Sequence, residues 1–151
     1  MDGVFMKFRI IIWVLFVFVM ALVLYGAESL LLQKSIAEKT VRLHVVANSD
    51  SKEDQAHKLE VRDAVLRQVG ALTADCENAQ EARTVISNNL SVIQKAAEKV
   101  SDHRISVSLR TESFETRYYD TFTLPAGDYP SLRVNIGQAQ GQNWWCVVFP
   151  S

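Results

Sequence analysis

Residues 41–69, VRLHVVANSDSKEDQAHKLEVRDAVLRQV, contain a change of period that decides the fold. Val41, Leu43 and Val45 alternate with Arg42 and His44, which is the two-residue period of a half-buried strand. Asn48-Ser49-Asp50-Ser51 then replaces that alternation with residues that favour turns and helix caps. Asp50 with Glu53, or Ser51 with Asp54, has the spacing of a capping box. A helix is expected from about Lys52 to Val69, with Ala56, Leu59, Val65, Leu66 and Val69 turned inward and Gly70 as its stop. The pairs Asp54 with Lys58 and Asp63 with Arg67 support its exposed face by about 0.3 kcal/mol each.

Towards the C-terminus a second helix is expected after Asn78, whose capping partner would be Glu81. Its apolar stripe runs through Ala82, Ile86, Leu90, Ile93, Ala97 and Val100. The period then returns to two. Ile105, Val107 and Leu109 alternate with Ser106, Ser108 and Arg110, a strand is expected around Thr116 to Leu124, and Pro125-Ala126-Gly127-Asp128 reads as a turn. Leu132, Val134 and Ile136 alternate again, 137–143 is a glycine-bounded loop, and Trp144 to Phe149 forms a final strand. The order β-α-α-β-β-β-β predicts an α+β domain in which two helices pack on one face of a mostly antiparallel sheet. Because neighbouring strand residues point to opposite faces, Trp144-Trp145 places one tryptophan beneath the helices and the other on the face they leave uncovered.

Towards the N-terminus, residues 10–27 (IIIWVLFVFVMALVLYGA) carry no charge and follow Lys7 and Arg9. As a helix they span roughly 27 Å, close to the hydrocarbon thickness of a bilayer. Residues 1–27 therefore read as a signal peptide or a membrane anchor, with the basic flank kept in the cytoplasm. Residues 28–40 read as a helical juxtamembrane stalk, and 41–151 as an exported domain. Across the chain 16 basic residues meet 17 acidic ones, which gives no electrostatic case for nucleic acid.

The domain offers little catalytic chemistry. His44, His57 and His103 make no zinc-ligand pattern, no phosphate-cradling or dinucleotide loop is present, and no nucleophile elbow occurs. No metal, cofactor or small-molecule substrate is expected. His44 with Asp50 or Asp54 is the one acid–base pair that a strand end next to a helix start could assemble. Cys76 and Cys146 could be unpaired or joined as a disulfide. Asn89-Leu90-Ser91 matches a glycosylation acceptor, but it falls in the middle of the second expected helix.

Residues 41–66, VRLHVVANSDSKEDQAHKLEVRDAVL, and 124–149, LPAGDYPSLRVNIGQAQGQNWWCVVF, together resemble the stage II sporulation protein R family of endospore-forming bacteria. The resemblance implies an exported signalling protein rather than an enzyme. It would act in the space between forespore and mother cell, on a membrane-embedded aspartic protease that processes pro-sigma-E. The partner-binding candidates are the non-core side chains of the two segments: His44, Asn48, Ser49, Asp50, Asp54, Gln55, Lys58, Arg62, Arg133, Asn143, Trp144 and Trp145. Capping already accounts for Asp50, and helix solvation for Lys58. The chain departs from the family pattern at Ala139, which stands where the family has glycine. It also stops at Phe149-Pro150-Ser151, where the family continues with a further tail containing a natural partner for Cys146; the resemblance thus implies a shortened member. The alternatives are an exported cell-wall hydrolase built on His44 and an anchored cell-envelope assembly module.

Overall fold

The computed structural model describes residues 2–119 and 122–150. The chain divides into two compact units, residues 1–35 and 36–151. A single helix, α1 (Asp2–Glu38), forms the whole described part of the first unit and contributes its last turn to the second. Between Arg9 and Glu38 it is long and apolar enough to cross a membrane, and Trp13, Phe16, Phe18 and Leu22 are all exposed on it.

The second unit begins with the last turn of α1, where Ile36 and Ala37 of the expected stalk pack against Phe114 and Tyr129. Strand β1 (Val41–Val46) follows, then α2 (Lys52–Thr73), α3 (Ala79–Asn88), α4 (Leu90–Glu98) and β2 (Ile105–Phe114). A small hairpin of β3 (Arg117–Tyr118) and β4 (Thr123–Leu124) precedes β5 (Gly127–Ile136) and β6 (Asn143–Phe149). The main sheet has the order β2-β5-β1-β6. Its two outer pairings are antiparallel, whereas β1 and β5 run parallel at the centre. The α+β class and the mostly antiparallel sheet are as the sequence predicts.

One sheet face carries the helices. Leu43 and Val45 of β1, Leu132, Val134 and Ile136 of β5, Ile105 of β2 and Val148 of β6 meet Val61, Val65 and Val69 of α2 and Ile86, Ile93 and Ala97 of α3 and α4. The inward stripe of α2 differs from the predicted one. Its buried residues are Lys58, Val61, Ala64, Val65, Val69 and Thr73, while Ala56 and Leu59 face outward. Lys58 occupies an inward slot because its amine finds acceptors there, as described below.

Three boundaries also differ from expectation. Gly70 does not stop α2; Leu72 and Thr73 continue the packed stripe past it, and Thr73 Oγ1 donates to Val69 O at 2.9 Å. The second expected helix breaks at Asn89, whose amide donates to Val85 O at 2.8 Å and so competes with the helix for that carbonyl. The buried stripe crosses the break intact through Ala82, Ile86, Ile93 and Ala97. The strand expected over 116–124 is instead the short β3–β4 hairpin; its residues 120–121 lie outside the described residues.

Gly70 sits inside a helix with no atom within 4 Å of where a Cβ would lie. Gly70→Ala should therefore raise the unfolding free energy by about 0.5–1 kcal/mol, the helix-propensity difference. Urea unfolding measures it, and a loss of stability would show that α2 does not run through this position as described.

Candidate functional site

The second face of the sheet was expected to be open, yet every residue of β1 is buried. Strand register explains which side chains gather there. Ser108 on β2, Arg133 on β5, His44 on β1 and Trp145 on β6 form one row across the four strands. Arg110, Ser131, Arg42 and Val147 form the next row, and Glu112 follows opposite Tyr129.

Glu112 is the hub. Its carboxylate accepts from Arg110 Nη2 at 2.7 Å, Arg133 Nη1 at 2.9 Å and His44 Nδ1 at 3.1 Å. A carboxylate only accepts, so His44 carries its proton on Nδ1 in that bond. His44 Nε2 lies 2.9 Å from Asn143 Oδ1, and its ring leans on Trp145 with centroids 5.5 Å apart. Burial opposes the charge of Glu112. The neighbouring Ser131 hydroxyl, Arg133, Arg110 and His44 outweigh that opposition and hold it at about 2. Ser131 Oγ makes no hydrogen bond of ordinary geometry, so the two guanidiniums and the imidazole carry the directed contacts.

Arg42 is fully buried in the next row. Its guanidinium lies 3.9 Å from the centre of the Phe114 ring and 5.1 Å from that of Tyr129, and Nη2 donates to Tyr119 Oη at 3.3 Å. Nε and Nη1 have no hydrogen-bond partner among the described residues, so the aromatic faces are their main compensation. Burial lowers the pKa of this arginine.

Six further candidates form a latch between two loops. Asp54 Oδ2 accepts from Asn48 Nδ2 at 2.9 Å and from the Ser49 hydroxyl; these two bonds hold its pKa below the ordinary value. Gln55 Nε2 donates to Ser49 O at 2.8 Å. Across the gap, the Gln138 N–H donates to Asn48 Oδ1 at 3.0 Å, and the Gln142 N–H to Asp50 Oδ1 at 2.8 Å. Lys58 Nζ closes the latch by donating to Gln55 Oε1 at 2.6 Å and Gln142 O at 3.1 Å; burial lowers its pKa. Of the two expected capping boxes, the Ser51 one provides the cap, its hydroxyl accepting from the Asp54 N–H at 3.1 Å.

The approach is close enough to exclude side chains. A Cβ on Gly137 would meet Asn48 Oδ1 at 2.2 Å, and one on Gly141 would meet the Ser49 carbonyl oxygen at 2.1 Å. Ala139 in the same loop holds φ at +53°, the left-handed region that favours glycine.

The last candidates lie at the β6 edge. The tryptophans divide as strand alternation requires. Trp144, 37% exposed, lies on the helix side with the Arg62 guanidinium 4.4 Å from its ring centre. Trp145 lies on the other face with Arg117 stacked at 4.5 Å. A groove of about 310 Å³ beside His44 and Glu112 is walled by Phe114, Arg117 and Trp145.

The candidates thus separate into a row on the second face (His44 buried, Arg133 and Trp145 half-buried, Asn143 exposed at its end), a latch (Asn48, Ser49, Asp50, Asp54, Gln55, Lys58) and a pair on the helix side of β6 (Arg62 half-buried, Trp144 exposed). Sequence reasoning missed Arg110, Glu112, Phe114, Arg117 and Tyr119. Arg110 and Glu112 continue the alternation of Ile105–Leu109, which was the available signal. The pairing imagined for a hydrolase does not form: His44 bonds Glu112, while Asp54 meets His103 at 3.3 Å and Asp50 bonds the Gln142 amide. Cys76 and Cys146 are both free, and no cluster of metal ligands occurs among the described residues.

A carboxylate held below its ordinary pKa stabilises the fold above the unfolded value, here 4.5, and that contribution disappears as pH falls to about 2. Glu112→Gln should cost about 1–3 kcal/mol at pH 7 by stripping charged donors of their acceptor. The difference from the unsubstituted chain should shrink between pH 4.5 and 2. Urea titrations across that range read both; a gap independent of pH would contradict the role given to Glu112.

Among known proteins, residues 37–151 match the family model described as stage II sporulation protein R. Stage II sporulation protein R of Bacillus subtilis (strain 168) is 37% identical over 120 residues, 76% of this chain and 54% of that protein. The chain thus spans about half the length of the curated relative it matches. No solved structure matches it. With the match running from the last turn of α1 to the end of the chain, this protein belongs to the stage II sporulation protein R family.

Proposed function

We propose that the chain is a non-enzymatic signalling protein of sporulation. It is exported from, or anchored in, the forespore membrane through residues 10–27, with the folded unit in the space between forespore and mother cell. There it binds a membrane-embedded aspartic protease and activates processing of pro-sigma-E. The family match over the folded unit carries this reading. The placement of Trp144 supports it, because this large aromatic stays 37% exposed, with the half-buried Arg62 over its ring, and takes no part in the latch or the Glu112 cluster. Tryptophan and arginine are among the residue types that most often dominate protein interfaces. The N-terminal apolar helix is compatible with either a signal peptide or an anchor.

The test is co-expression with the protease and pro-sigma-E in a host lacking other sporulation proteins. Processing should depend on this chain. The double variant Arg62→Ala/Trp144→Ala should reduce it at least tenfold while export and unfolding midpoint stay unchanged. Processing that proceeds without the chain would refute the proposal.

A further inference from the structure

We infer that the outer edge of β6 receives an extended, acidic segment of the partner protein as a fifth strand of the main sheet, bracketed by Arg62 and Arg117. This rests on the partner-binding reading above and specifies how the partner attaches.

The backbone of β6 is the first observation. It stands last in the sheet order, bonded to β1 on one side, and no backbone bond between described residues reaches its other side. Such a row of free N–H and C=O groups is a template for another strand. Proteins usually defend it with charge, and the opposite edge is defended in that way, since β2 carries Arg110 and Glu112. In contrast, Asn143-Trp144-Trp145-Cys146-Val147-Val148-Phe149 carries no charge at all. The register shift opposite Val41/Arg42 leaves Asn143–Val147 as the regular stretch that can be extended.

Charge then selects the occupant. Arg62 lies over Trp144 on one face of β6, and Arg117 lies over Trp145 on the other. Arg62 shares its charge with Asp63 at 2.7 Å, whereas Arg117 has no carboxylate within salt-bridge distance among the described residues. A second copy paired edge to edge would gather two more guanidiniums at the same place, which is unfavourable. An acidic strand supplies the missing countercharge instead. Room for its side chains exists in a groove of about 300 Å³ lined by Arg117, Tyr118, Tyr119, Asn143, Trp144 and Trp145.

Hydrogen exchange of the full chain in detergent micelles, with and without the purified membrane protease, tests this directly. Alternate amides between Asn143 and Val147 should exchange at least tenfold more slowly in the complex. Arg117→Glu should weaken binding tenfold or more without changing protection of β1. A complex in which these amides exchange as in the free chain, or binding indifferent to Arg117→Glu, would overturn the strand addition and leave the partner reading standing. Protection that grows with concentration of this chain alone would assign the edge to a second copy and equally overturn it. Absence of any complex would refute the partner reading itself.

Discussion

Strand β1 is buried on both faces although its alternate residues, Arg42 and His44, are polar. Burying a charge or an imidazole without partners is costly, so the rest of the unit must supply them. It does so with Phe114, Tyr129 and Tyr119 around Arg42, and with Glu112 and Asn143 around His44. The length of β2 follows from this demand. Had it ended after Arg110, as its apolar alternation suggests, neither Glu112 nor Phe114 would be in place. The last turn of α1 follows too, since Ala37 helps to cover the same cluster.

The helix face and the second face are joined through the latch. The parallel pairing of β1 with β5 and the antiparallel pairing with β6 bring the end of β1 beside the loop between β5 and β6. Asn48, Asp50 and Lys58 then bond the backbone of that loop. This explains why the resemblance is concentrated in two segments distant in sequence: they are the two halves of one hydrogen-bonded structure. Much of the polarity in those segments is therefore engaged internally. The edge of β6, where Arg62 lies over Trp144 and Arg117 over Trp145, is not part of that internal network, and the partner reading rests there.

Much of this was legible in the sequence, and the exceptions have physical causes. The period change at Asn48 located β1 and α2 because strand and cap signals there depend only on neighbouring residues. Gly70 misled because the packing of Leu72 and Thr73 outweighs a propensity penalty of about 1 kcal/mol. Lys58 could not be recognised as inward-facing, since the carbonyl of Gln142 that satisfies it is 84 positions away. The covering of the second face over β1 was missed for the same reason. Alternation in β1 reveals two kinds of face, but the partner that buries the polar one, Glu112, lies 68 positions further on.

A double-mutant cycle on His44→Ala and Glu112→Gln, read by urea unfolding at pH 7, bears most directly on whether this buried polar face holds the sheet together. If it does, the two substitutions interact, with a coupling energy of about 1 kcal/mol or more. Effects that add to within about 0.3 kcal/mol would mean that His44 and Glu112 are merely neighbours, and that β1 is held by its apolar side alone.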